Sequence, residues 1–197
     1  MEELNKEFWD ARWKNQQTGW DIGHASPAIV KYFEQVLDKD IKILIPGCGN
    51  AHEAFALSEM GFQNITLLDI APTAVEHLKE KFQNHPNINT VCDDFFLHEN
   101  RYDLMVEQTF FCAISPDLRE QYIRKASEIL EPEGKIIGLL FNTEFEKAGP
   151  PFGGDKTEYK ILFDKYFEIK TMEDCYNSIE PRKGSEVFIN LKNKKTV

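Results

Sequence analysis

From residue 41 onward, short apolar runs alternate with amphipathic stretches of helical period, and this alternation constrains the fold more than any other feature of the chain. Ile41 to Ile45 reads as a buried strand, Ala51 to Met60 as a helix ended by Gly61, and Ile65 to Asp69 as a second strand. Pro72 to Phe82 follows as a helix with proline in its first turn, then strands at Ile88 to Cys92 and Tyr102 to Glu107. Ser115 is placed as an N-cap with Pro116 behind it. Leu118, Tyr122, Ile123, Ala126, Ile129 and Leu130 then form one apolar stripe, and Pro132 and Gly134 are expected to stop that helix. Lys135 to Phe141 is a fifth strand, Lys156 to Lys165 a helix, and Phe167 to Met172 and Glu186 to Leu191 are two late strands with no helix between them. Strands joined without a crossover pair antiparallel most simply. The pattern predicts an α/β, doubly wound, mostly parallel seven-stranded sheet with an antiparallel last strand, in a single domain spanning 1–197.

In such a sheet, ligands bind beyond the carboxyl ends of the strands, and there the chain reads ILIPGCGNAHE. Gly47 and Gly49 leave the backbone open to close approach, and the helix that follows offers free N–H groups. Asp69 stands at the end of the next strand, where a carboxylate can accept from both hydroxyls of a ribose. A dinucleotide fingerprint would carry a third glycine where this chain has His52. Its absence favours a smaller, phosphate-free nucleoside cofactor such as S-adenosylmethionine. Asp93-Asp94-Phe95-Phe96, after the third strand, supplies a carboxylate for an adenine amino group and an aromatic face for the ring. A net charge of −10 argues against a nucleic-acid partner. No apolar run reaches membrane-spanning length and the N-terminus is too charged for a secretory signal, so a cytoplasmic protein without a membrane partner is expected. Cys48, Cys92, Cys112 and Cys175 contain no C-x-x-C pair, and no metal site is expected.

Taken together, FWDARWKNQQTGWDIGHASPAI, ILIPGCGNAHE, LLDIAP, DDFF, TFFCAISPDLR, LEPEGKIIGLLF, AGPPF and IEPRKGSE resemble the thiopurine S-methyltransferase family, and within it the plant and bacterial thiol and halide methyltransferases. The resemblance covers nearly the whole chain. It implies a Rossmann-like class I methyltransferase fold, S-adenosyl-L-methionine as cofactor, and methyl transfer to a small soft nucleophile: a thiol, bisulfide, halide or thiopurine. It also implies cofactor contacts at Trp9, Trp13, Trp20, Gly47, Gly49, Asp69, Asp94, Phe95 and Gln108, although Glu107-Gln108 stands where relatives tend to carry Asp-Tyr.

Three tryptophans within residues 9–20 have their own physical reading. Indole faces attract a sulfonium and exclude water, so residues 1–27 are expected to form a Trp-rich lid; the alternative is an amphipathic helix that merely docks. A neutral thiol must lose a proton before attack. Arg119 matches the arginine proposed to favour the thiolate in thiopurine enzymes and is the catalytic candidate, with Arg182 near the substrate side and His24 as a further base or water contact. Cys112 reads as a packed core thiol. A nicotinamide-dependent oxidoreductase and a non-catalytic S-adenosylmethionine-binding module remain open on these residues. The identity of the acceptor and the oligomeric state are not encoded in any motif.

Overall fold

A computed structural model describes residues 4–147 and 149–195, leaving the first three residues of the expected lid and Ala148 of AGPPF outside the description. Seven strands, β1 (Lys42–Pro46), β2 (Asn64–Asp69), β3 (Ile88–Cys92), β4 (Tyr102–Gln108), β5 (Leu130–Phe141), β6 (Phe167–Asp174) and β7 (Glu186–Asn193), form one sheet in the order β3-β2-β1-β4-β5-β7-β6. The first five pair in parallel, and β7 runs antiparallel between β5 and β6, as expected of strands joined without a helix. The helices are α1 (Lys6–Lys14), α2 (Pro27–Phe33), α3 (His52–Glu59), α4 (Pro72–Lys81), α5 (Arg119–Ile129) and α6 (Lys156–Phe163).

Alternation along β1 shows how the layers form. Ile43 and Ile45 join Ile29 and Phe33 of α2, Ala54 and Leu57 of α3 and Leu78 of α4 in one apolar cluster. Leu44 belongs instead to the cluster built with Tyr122, Ile123 and Ala126 of α5 and Tyr159 and Phe163 of α6. A strand buried on both faces must be apolar at consecutive positions, which is why KILIP reads as a continuous run. Prolines start α2 and α4 at their first turn, where a missing N–H costs nothing.

Three local details depart from the sequence reading. Ser115 makes no side-chain cap; a 3-10 turn at Pro116–Leu118 starts the helix instead. The helix ends at Ile129, not at Pro132 and Gly134, because Leu130 already pairs with Tyr102. Pro132 and Gly134 sit in an irregularity of β5 that shifts its register on β4 between Tyr102 and Leu104. Helix α2 had no predicted counterpart, although its Ser26-Pro27 start repeats the Ser115-Pro116 pattern. Among the described residues, no helix is long and apolar enough to cross a membrane.

Gly138 of β5 lies opposite Glu107 of β4, and a Cβ there would meet the Glu107 carbonyl oxygen at 1.9 Å. Backbone cannot yield as a side chain would. Gly138→Ala is therefore expected to cost about 2 to 4 kcal/mol in urea denaturation, more than a core substitution of one methyl ordinarily does.

Candidate active site

The carboxyl ends of β1, β2 and β4, the turn after β3 and the N-terminal leader enclose a cleft of about 1790 Å³. That exceeds the roughly 300 to 1,000 Å³ of a typical one-ligand pocket and leaves room for two reactants. At its floor, Gly47 donates its N–H to the Leu68 carbonyl at 2.7 Å, joining the ends of β1 and β2. Its φ is +55°, and a Cβ would fall 2.4 Å from Cδ2 of Phe110, so only glycine fits. Gly49 lies beside the Trp20 indole, whose Nε1 is 3.5 Å from where its Cβ would be.

Asp69, at the end of β2, lines the cleft while only 8% exposed, and its Oδ1 accepts the Ala71 N–H at 2.9 Å. Burial pushes its carboxyl from 3.8 up to about 6, against the opposing pull of the Ala71 N–H. After β3, the Asp93 carboxylate accepts the Asp94 N–H and the Asp94 carboxylate accepts the Phe96 N–H, at 2.8 and 2.9 Å, shaping a tight turn on the cleft wall. Phe95 lines the cleft from the core side, stacked on Tyr122 at 5.2 Å, while the half-buried Phe96 lies nearer solvent.

The leader lines one side of the cleft. Trp20 meets Trp9 and Trp13 edge to face at 5.7 and 6.3 Å, and all three line the cleft. Several contacts hold them there. Asp10 accepts the Thr73 N–H at 2.9 Å in the first turn of α4, and Lys14, 2.6 Å away, keeps its carboxyl down at about 2. Asp21 accepts from Asn50 and lies 2.8 Å from Nε2 of His52. Arg182 donates to the Trp20 carbonyl at 3.1 Å. The bulky His52 that replaces a third glycine thus fastens the leader to the start of α3.

Not every expected residue reaches the cleft. Gln108 does not line it, because it remains in β4 paired with Leu139, and the chain turns toward the cleft one residue later, where Thr109 has φ +62°. Among the described residues its buried Oε1 finds no partner. His24 also lies outside, its Nδ1 2.8 Å from the Ala25 carbonyl on an exposed loop. Arg119 does line the cleft, but it is 4% exposed and heavily engaged: one Nη donates to the Gly153 carbonyl at 2.6 Å, and the guanidinium lies 5.0 and 5.5 Å from the rings of Phe111 and Tyr159. Its Nε is buried with no partner. Burial pushes the Cys112 thiol up to about 12, as befits a packed thiol and not a nucleophile. Glu107, noted in the sequence only as standing where relatives tend to carry Asp and given no role there, is buried beneath the turn that carries Phe110, and burial pushes its carboxyl up to about 7.

A buried carboxylate at the second strand, a glycine floor open to close approach and an indole cluster over the opening suit an adenosyl sulfonium, and together with the strand order they define a Rossmann-like nucleoside-cofactor methyltransferase. The thiopurine S-methyltransferase family model matches residues 4–196. A probable thiol methyltransferase of Arabidopsis thaliana is 32% identical over 94% of this chain and 84% of that protein. Thiocyanate methyltransferase 1 of the same plant is 29% identical over 90% and 81%. The solved 1,6-didemethyltoxoflavin-N1-methyltransferase of Burkholderia thailandensis, bound to S-adenosylhomocysteine, superposes with a TM-score of 0.74 at 15% identity, covering 96% of this chain and 87% of that one, a likeness of fold. The chain belongs to the thiopurine S-methyltransferase family and is an S-adenosylmethionine-dependent methyltransferase.

The Asp69 carboxyl gives a prediction with a definite sign. Its folded value lies above 3.8, so its favourable contribution to the ligand-free fold is full below about 3.8 and is lost as pH rises through about 6. At pH 8 the buried charge is a net cost. Asp69→Asn is expected to be more stable than the parent at pH 8 by about 1 to 3 kcal/mol in chemical denaturation, with the gain shrinking as pH falls below about 6.

Proposed function

We propose that this enzyme methylates a small sulfur nucleophile, a thiol or bisulfide, with soft anions such as halides and thiopurines as further acceptors, in the cleft beneath the leader. The observation that carries the reading is the meeting of Asp69 and the three tryptophans, from separate stretches of the sequence, on one cleft large enough for two reactants. The names of the relatives, thiol and thiocyanate methyltransferases, agree with a sulfur acceptor.

In this reading Asp69 accepts from the ribose hydroxyls, and Gly47 and Gly49 let the nucleoside lie against the backbone. Asp94 and Phe95 hold the adenine, Gln108 stands behind that site without entering it, and Trp9, Trp13 and Trp20 close residues 1–27 over the cleft as a lid. S-adenosylmethionine, when bound, supplies an electrophilic methyl group open to in-line displacement. The chain's own task is to hold the acceptor at near-attack distance, exclude water, and keep an acceptor sulfur anionic. Among the residues lining the cleft there is no histidine to take the proton. Arg119, fixed between Phe111, Tyr159 and Gly153, places a positive charge on the acceptor side, where it favours the thiolate, and the proton leaves to water.

Incubation with S-adenosylmethionine and a panel of bisulfide, small thiols, thiopurines and iodide should form S-adenosylhomocysteine with the sulfur acceptors. No product with any of them would refute the reading. Asp69→Asn should weaken cofactor binding by about 1.5 to 3 kcal/mol in calorimetry at pH 8. Arg119→Met should slow transfer to an alkyl thiol about 10- to 100-fold near pH 7 and recover above the thiol pKa, whereas transfer to iodide changes less and shows no recovery. Wild-type rates on both acceptors at every pH would remove Arg119 from the chemistry and leave it as a pin for Gly153.

A further inference from the structure

Glu107, the penultimate residue of β4, is 1% exposed, yet no cation lies within ion-pairing distance of it among the described residues. Its oxygens are spent on other groups. Oε1 accepts the backbone N–H of Phe110 at 2.8 Å and of Phe111 at 2.9 Å, and Oε2 accepts the Tyr122 hydroxyl at 2.5 Å. A carboxylate is an expensive thing to bury, and two consecutive N–H groups, one part-buried and one buried, are costly to leave unpaired; each need answers the other.

The turn held in this way forms part of the site. Thr109 takes φ +62°, an uncommon conformation for a β-branched residue, which fits a turn fixed from outside itself. Phe110 is carried over Gly47, and Cys112, Ala113 and Ile114 are set along the cleft. Phe152 is drawn in as well, through its N–H on the Cys112 carbonyl at 2.7 Å. One carboxylate therefore governs where an aromatic ring meets the glycine floor and where the opposite wall stands.

We propose that Glu107 is a positioning residue for methyl transfer: by clamping the Phe110 and Phe111 amides and the Tyr122 hydroxyl, it sets the wall against which the acceptor is aligned with the methyl group. The proposal rests on the cleft being the transfer site described above. Glu107 touches neither reactant. Its role follows from hydrogen-bond acceptance, so an amide oxygen can replace it, with the Tyr122 hydroxyl turning to accept from the amide nitrogen.

The test compares Glu107→Gln with Glu107→Met, which keeps volume but accepts nothing. Glu107→Gln should retain kcat within about threefold and keep the Phe110 and Phe111 amides protected in hydrogen exchange followed by NMR. Glu107→Met should lower kcat on a thiol at least about thirtyfold, speed exchange at those two amides about a hundredfold, and weaken S-adenosylmethionine affinity far less, by no more than about fivefold in calorimetry, since Asp69 stands on another strand and only the Phe110 contact with the floor is loosened. A folded Glu107→Met protein with wild-type kcat, or a Gln variant as impaired as the Met one, would overturn the proposal. If Glu107→Met does not fold, the wild-type protein still decides. Exchange at the Phe110 and Phe111 amides as fast as in the exposed loop at 23–25 would mean that no clamp exists. If the wild-type protein methylates none of the acceptors, the proposed function fails, and the exchange and cofactor-affinity readouts alone judge the clamp.

Discussion

The Phe110 ring lies so near Gly47 that any side chain at that position would enter it. This approach joins the ends of β1 and β4, two of the strands that build the site. On one side, Gly47 ties β1 to β2 through Leu68 and so fixes Asp69 relative to the floor. On the other, Phe110 belongs to the turn that Glu107 holds from β4. A change in either strand end is therefore felt at both, because close-packed contacts transmit displacement. The cleft depends on this junction in a way that it does not depend on the edges of the sheet.

The leader obeys a different physics. Helix α1 buries none of its residues fully, so it does not dock as an apolar wedge into the core. The leader is held by polar contacts, through Asp10 of α1 at Thr73 and through Trp20 and Asp21 at Arg182, Asn50 and His52, several of them half-exposed and each worth on the order of 1 kcal/mol. Segments attached in this manner open at small cost while the core remains intact. Under the proposed function that property suits a cover which admits two reactants and releases two products, and the same segment serves the amphipathic helix that the sequence also suggested.

Strands β1 and β2 were legible because burial on both faces demands consecutive apolar residues, and the antiparallel end of the sheet followed from the missing crossover helix. The register irregularity at Pro132 and Gly134 was not legible, since both residues are as natural in a helix stop as in a distorted strand. Helix α2 escaped because seven residues carry too little periodicity to stand out, though its proline start was visible. The expected placement of Gln108 in the cleft failed by a single residue, as the chain leaves the sheet at Thr109. Glu107 could have been found by a simple signal: a carboxylate closing the otherwise apolar LMV run of a central strand needs a buried partner. The partners, two backbone amides, leave no trace in sequence. Nor do the contacts of Asp21 with Asn50 and His52, which lie about thirty positions apart.

In the proposed reading S-adenosylmethionine binds where the glycine floor, Asp69 and the leader meet. Hydrogen exchange read by mass spectrometry, with and without saturating S-adenosylmethionine, decides this. Slowed exchange is expected in peptides covering residues 5–23, 47–53, 69–73 and 93–96, with β6 and the 35–41 loop unchanged. Protection confined to other segments, or protection of the floor with the leader exchanging as freely as before, would contradict it.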